Sequence, residues 1–140
     1  MMKRDEVVAS ARSWLKTPFH HQGRLKGVGV DCVGLAIEVA RASGADLSRF
    51  DLRHNYAQAY GYADLISQLQ KGLREVPLEE AGPGDILLFQ IYKEPQHIGI
   101  MTGPDTMIHS VDKFGVVEVS LDPMWQRRLI SAWRHPDMED

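Results

Sequence analysis

The stretch VGVDCVGLAIEVARASG, residues 28–44, holds the chain's single cysteine, Cys32. From Cys32 to Ala42 the residues Val33, Leu35, Ala36, Ile37, Val39 and Ala40 are apolar on most sides, the pattern of a buried central helix. Asp31 stands where an N-cap would, and Gly44 supplies a natural stop. The sulfur therefore opens the helix. A helix start is one of two usual ways of lowering a thiol pKa, the other being a neighbouring imidazolium, and its unpaired N–H groups can hold an oxyanion. Taken alone, a free cysteine beside valine and leucine is more often a buried apolar residue than a nucleophile.

Upstream, Val7, Val8, Ala11, Trp14 and Leu15 recur at helical spacing until Thr17-Pro18 halts the pattern, which predicts a first helix over 3–15. FHHQGRLKGVGV (19–30) holds three glycines and no sustained period, and reads as a loop leading to the cysteine. Downstream, Leu65, Ile66, Leu69 and Leu73 mark a third helix beginning near Tyr56. At AGPGDILLF (81–89) the character changes, and strands are expected over Asp85–Gln90, His97–Met101, Thr106–Ser110, Val116–Ser120 and Leu129–Arg134, with a short DPMWQRR segment before the last. Helices followed by an antiparallel meander mean an α+β fold. One domain over 1–140 is expected, its N-terminal helices packed on a C-terminal sheet of about five strands.

Composition narrows the function. With 140 residues and 44% hydrophobic content the chain can bury one adequate core. A formal charge of −3 gives no basic field for nucleic acid or an anionic membrane, and neither is expected as a partner. One cysteine excludes an internal disulfide. The start, MMKRDEVVAS, holds no apolar run long enough for a signal peptide or membrane span, so synthesis in the cytoplasm without a signal peptide is expected. His20 and His21 are adjacent and point apart, and no second cysteine or spaced acid completes a ligand set, so no metal and no cofactor is expected. Tyr56, Tyr60 and Tyr62 read as core or half-buried surface, and Trp14, Trp125 and Trp133 as packing. Gly27 and Gly29 lack the Lys-Ser/Thr of a phosphate loop.

The histidines change the standing of Cys32. If HIGIMTGPDTMIH (97–109) is a hairpin centred on Gly103, His97 lies across from His109 on one face and Ile98 across from Ile108 on the other. One ring could then hold the tautomer of its neighbour. A thiol at a helix start, an imidazole to take its proton and a second imidazole to position the first follow the logic of a cysteine hydrolase.

These residues resemble the NlpC/P60 cysteine peptidases, which cut peptide bonds in bacterial peptidoglycan on a papain-like fold. DCVGL resembles that family's Asp-Cys-Ser-Gly-Leu block, PGDILLF its Pro-Gly-Asp strand, HIGI its His-Val-Gly-Ile segment and MIHS the strand with the third catalytic polar residue. Carried over by position, the resemblance implies Cys32 as nucleophile, His97 as general base and His109 as orienting group. TPFHHQGR (17–24) looks most like the phage and gene-transfer-agent branch, which implies a peptidoglycan peptide substrate, phage-tail-like particle components as partners and delivery to the cell wall in such a particle. An amidase or acyltransferase on the same scaffold, or a tail assembly module that binds without catalysis, is the alternative. The family often has Ser after the cysteine and Tyr where this chain has Phe19; with the Asp before the cysteine, these bind a free amine on the substrate. Here Asp31 alone remains, with Phe19 and His20 as further candidates for the groove, which implies attack on stem peptides still attached to glycan. Asp31 reads equally well as a plain N-cap. The stretch 45–80 is longer than in compact relatives and is expected to line the groove.

Overall fold

The structure is a computed structural model that describes residues 1–50, 62–91 and 94–139. Helix α1 (Arg4–Arg12) buries Val7, Val8 and Ala11, and Asp5 and Glu6 occupy its first turn, where negative charge suits the helix dipole. Two short strands, β1 (Arg24–Leu25) and β2 (Gly29–Val30), pair within the stretch read as loop, closing around Gly27 at φ +78°. Helix α2 (Cys32–Ala42) begins at the cysteine and ends at Ser43, with Gly44 at φ +87°, as its apolar run and stop residue predict. Helix α3 (Tyr62–Gly72) carries the expected Leu65 and Leu69 into the core. Tyr56 and Tyr60, and with them the expected start of that helix, lie outside the described residues.

The sheet has six strands where about five were expected, in the order β3–β8–β4–β5–β6–β7, all neighbours antiparallel: β3 (Arg74–Val76), β4 (Ile86–Ile91), β5 (Glu94–Gly103), β6 (Thr106–Val111), β7 (Gly115–Ser120) and β8 (Leu129–Arg134). The extra strand, β3, has three residues of which only Val76 is buried, too short for an alternation to announce it. The DPMWQRR segment forms a further helix, α4 (Pro123–Arg128): Asp122 accepts the Trp125 N–H at 3.0 Å and Pro123 fills the first helical position. Together these elements make the expected α+β fold, N-terminal helices packed on an antiparallel sheet.

The sheet is covered on both faces, and this decides where the histidines point. One face carries Ile86, Leu88, Ile98, Ile100 and Ile108 against α1, α2 and α3. The other carries Leu87, Phe89, Met101 and Met107, with Trp125 of α4 packed on it. Asp85, in the turn before β4, is fully buried and held by Arg134 through two bonds of 2.9 and 2.8 Å, by Arg4 at 3.4 Å and by the Gly82 N–H at 2.9 Å. These ties join the start of α1, the start of β4 and the end of β8.

The hairpin register differs from the expected one. The observed partners are Ile100↔Ile108, Met101↔Met107 and Gly103↔Thr106, so the turn centres on Pro104-Asp105 and not on Gly103. Proline pre-sets the backbone for the second position of a β-turn, which puts Gly103 before the bend. The shift is two residues, an even number, so His97 and His109 keep a shared face while ceasing to be opposite.

Candidate active site

The site forms where β5 and β6 part. Their ladder ends at Ile100↔Ile108, and β5 towards His97 remains paired only with β4, through Phe89↔His97 and Leu88↔Ile98. Extending the register by one sets Gly99 across from His109. With no side chain at Gly99, the His97 ring reaches diagonally, and His97 Nε2 lies 2.7 Å from His109 Nδ1. The ring centroids are 5.0 Å apart at 67°. Both side chains are buried, His97 at 8% exposure and His109 at 2%.

The start of α2 packs against β5 and β6. Ser110 on β6 donates from its hydroxyl to the Val30 carbonyl at 2.7 Å, fixing the residue that leads into Asp31. Asp31 Oδ1 accepts the Gly34 N–H at 2.7 Å, and Oδ2 accepts the Gln22 N–H at 2.8 Å. The carboxylate therefore caps α2 and ties the 20–23 loop to it. His21 stands beside it, Nδ1 at 3.9 Å from Oδ2. Gly34 is required at its place: a β-carbon there would run into the Gly23 carbonyl oxygen and crowd Asp31 Oδ1. Cys32 is half-buried at the helix start, and its sulfur faces the backbone N–H groups of Ile98, Val33 and Cys32 itself. Ile98 directly follows His97 on β5, so the start of α2 packs on the strand that carries His97.

The electrostatics run against one expectation. Burial, reinforced by the Asp31 carboxylate, pushes the Cys32 thiol up to about 12, against the facing N–H groups. The helix start is there, but desolvation and the neighbouring Asp31 charge outweigh it. Burial pulls His97 down to about 3, with His109 adding to the effect, and His109 down to about 4. At neutral pH the thiol and both imidazoles are thus uncharged.

Phe19 forms a parallel bridge to Val30 and is half-buried. His20 is exposed, its Nδ1 3.0 Å from the His21 carbonyl oxygen. Both lie on the loop that Asp31 anchors. Sequence reasoning missed Trp125, which it assigned to general packing. The indole lies 5.6 Å from the His97 ring at 29°, 5.0 Å from the His109 ring at 84° and 5.1 Å from Phe89 at 72°. Asp122-Pro123 was the signal that a helix would carry it there.

Comparison with known proteins gives the chain its relatives. The sequence model of the NlpC/P60 family matches residues 16–134. Tail tip assembly protein K of Escherichia phage lambda is 30% identical over 118 residues, which are 83% of this chain and 59% of that protein. The chain thus spans less than two thirds of that curated relative. A NlpC/P60 family protein from Bacillus cereus superposes with a TM-score of 0.72 at 21% identity, over 94% of this chain and 40% of the other. The NlpC/p60 domain of peptidoglycan hydrolase SagA superposes with a TM-score of 0.68 at 20% identity, over 94% and 97%.

Proposed function

The chain belongs to the NlpC/P60 hydrolase family, and from that premise we propose that it is a cysteine peptidase that hydrolyses peptide bonds in the stem peptides of bacterial peptidoglycan through an acyl-enzyme. The observations that support this reading are the Cys32 sulfur against the Ile98 N–H, one residue after His97, and the His97 ring paired with His109. Because His97 Nε2 is engaged by His109, Nδ1 is the nitrogen left to receive a proton. That requires Nε2–H on His97 donating to a bare His109 Nδ1.

From a neutral pair, proton transfer accompanies attack. The thiol proton passes to His97 Nδ1 as sulfur bonds to the scissile carbonyl carbon, and the backbone N–H of Cys32 helps hold the oxyanion. Collapse breaks the C–N bond, and the leaving amine takes the proton from His97, leaving a thioester. Water then attacks with His97 as base, and hydrolysis returns the thiol. Throughout, His109 Nδ1 accepts from the imidazolium that forms.

The similarity to a tail tip assembly protein supports delivery to the cell wall within a tail-like particle, with tail components as partners. That similarity and the raised thiol together favour one second reading, a tail assembly module that binds without cleaving. Purified peptidoglycan incubated with wild type and with Cys32→Ala, followed by identification of the fragments, decides between them. New peptide termini with wild type alone support the peptidase, their nature separates peptidase from amidase, and intact peptidoglycan with both proteins supports the binding module.

A further inference from the structure

We propose that Trp125 is a positioning residue of this site: its indole, laid against the His97 ring and edge-on to His109, fixes both imidazoles and with them the direction in which His97 Nδ1 points. The inference rests on the peptidase reading for its catalytic consequence, but the ring geometry stands without it.

A single hydrogen bond leaves an imidazole free to tilt about the line joining the two nitrogens. The Nε2–Nδ1 bond between His97 and His109 therefore holds a distance but not a plane. Trp125 supplies the plane, since its ring is within 29° of parallel with His97. Standing at 84° to His109, it sets the second ring as well, and Phe89 supports His97 with its centroid at 6.1 Å. Edge-to-face and offset aromatic pairs at these separations are attractive and directional.

Helix α4 is built to hold the indole still. Besides the Asp122 cap, Gln126 donates from Nε2 to the Leu121 carbonyl at 2.7 Å, and Leu121 N–H donates to the Asp105 carbonyl at 2.7 Å, which ties the segment to the β5–β6 turn. The Arg128 guanidinium stands 5.9 Å from the indole centroid, within cation–π range. The indole also covers the imidazole pair, and burial is the largest cause of the low pKa values of both histidines. The titratable group that faces His97 is His109 from β6; β4 contributes the uncharged Phe89, and the Arg128 guanidinium of α4 stands by the indole.

The test uses Trp125→Ala and Trp125→Phe. In both, ring-nitrogen NMR of the histidines is recorded from pH 4 to 8 in the Cys32→Ala background, where no turnover is needed. With the cysteine intact, kcat and KM are measured on peptidoglycan over the same range. In the parent protein each ring of the pair is expected to show one protonated and one bare nitrogen without titrating above pH 5. Trp125→Ala is expected to average those signals, raise at least one histidine pKa by about one unit or more, and lower kcat at least tenfold with KM changed less than threefold. Trp125→Phe is expected to restore most of each. A folded Trp125→Ala protein with unmoved histidine signals overturns the proposal. Should that variant not fold, Trp125→Leu, which fills space without a ring plane, decides it by the same signals. If wild type leaves peptidoglycan intact, the peptidase reading falls while the NMR arm still judges Trp125.

Discussion

His97 Nε2 and His109 Nδ1 are 2.7 Å apart although the two residues sit diagonally across β5 and β6. Gly99, the residue in the opposite position, leaves the space through which the His97 ring leans. In the proposed mechanism His109 acts only through His97, so removing it should cost kcat more than binding. His109→Ala is expected to lower kcat on peptidoglycan about 10²-fold or more, as loss of an orienting group does in related triads. KM should change little, and His109→Gln, which keeps an acceptor oxygen, should recover part of the loss. A His109→Ala protein with undiminished kcat would remove His109 from the mechanism.

What the sequence made legible was what local pattern controls. The start of α2 at Cys32, its stop at Gly44 and the strands around His97 and His109 each follow from periodicity and end residues within a few positions. The insertion of β8 between β3 and β4 is set by contacts across the whole chain, and a three-residue β3 offers no alternation to read. The shared face of the two histidines survived a wrong register because the error was even. The thiol pKa could not be read, because it depends on how deeply β5 and β6 enclose the helix start, and a linear pattern does not contain that depth.

Stability should peak between about pH 6.5 and 9. Unfolded histidines take up protons near the ordinary value of 6.5, whereas the folded chain resists protonation down to about 4 at His109 and His135 and about 3 at His97. Over that interval the unfolded state binds more protons, so stability falls as pH drops from 6.5 towards 3. Each buried ring contributes on the order of a few kcal/mol. On the alkaline side, the unfolded thiol ionises near 9.0 and the folded one near 12, so stability falls again as pH rises between them. Urea unfolding across pH 4 to 10 measures both limbs. The acid limb should shrink in a His135→Gln variant, since that ring is buried away from the site yet titrates in the same direction.

The Pro-Gly-Asp motif has a structural cause. Asp85 is fully buried between Arg134 and Arg4, and losing one side of such a pair strands a charge in the core. Asp85→Asn is expected to destabilise the fold by about 3–5 kcal/mol, seen as a lower urea midpoint with an unchanged slope. Pairing it with Arg134→Met should cost much less than the sum of the single changes. Additive losses would mean that the two side chains do not act as one unit.

Asp31 yields a prediction about substrate choice. Its two oxygens accept the Gly34 and Gln22 N–H groups, so the carboxylate serves α2 and the 20–23 loop, and Phe19 carries no hydroxyl to join it in holding an amine. The proposed peptidase should therefore turn over glycan-linked stem peptides and the same peptides released with a free amine at kcat/KM values within a few-fold of each other. Asp31→Asn should lose about 1 kcal/mol of stability through the weakened cap and leave that ratio where it was. A strong preference of wild type for the free peptides, abolished by Asp31→Asn, would reassign the carboxylate from the helix to the substrate.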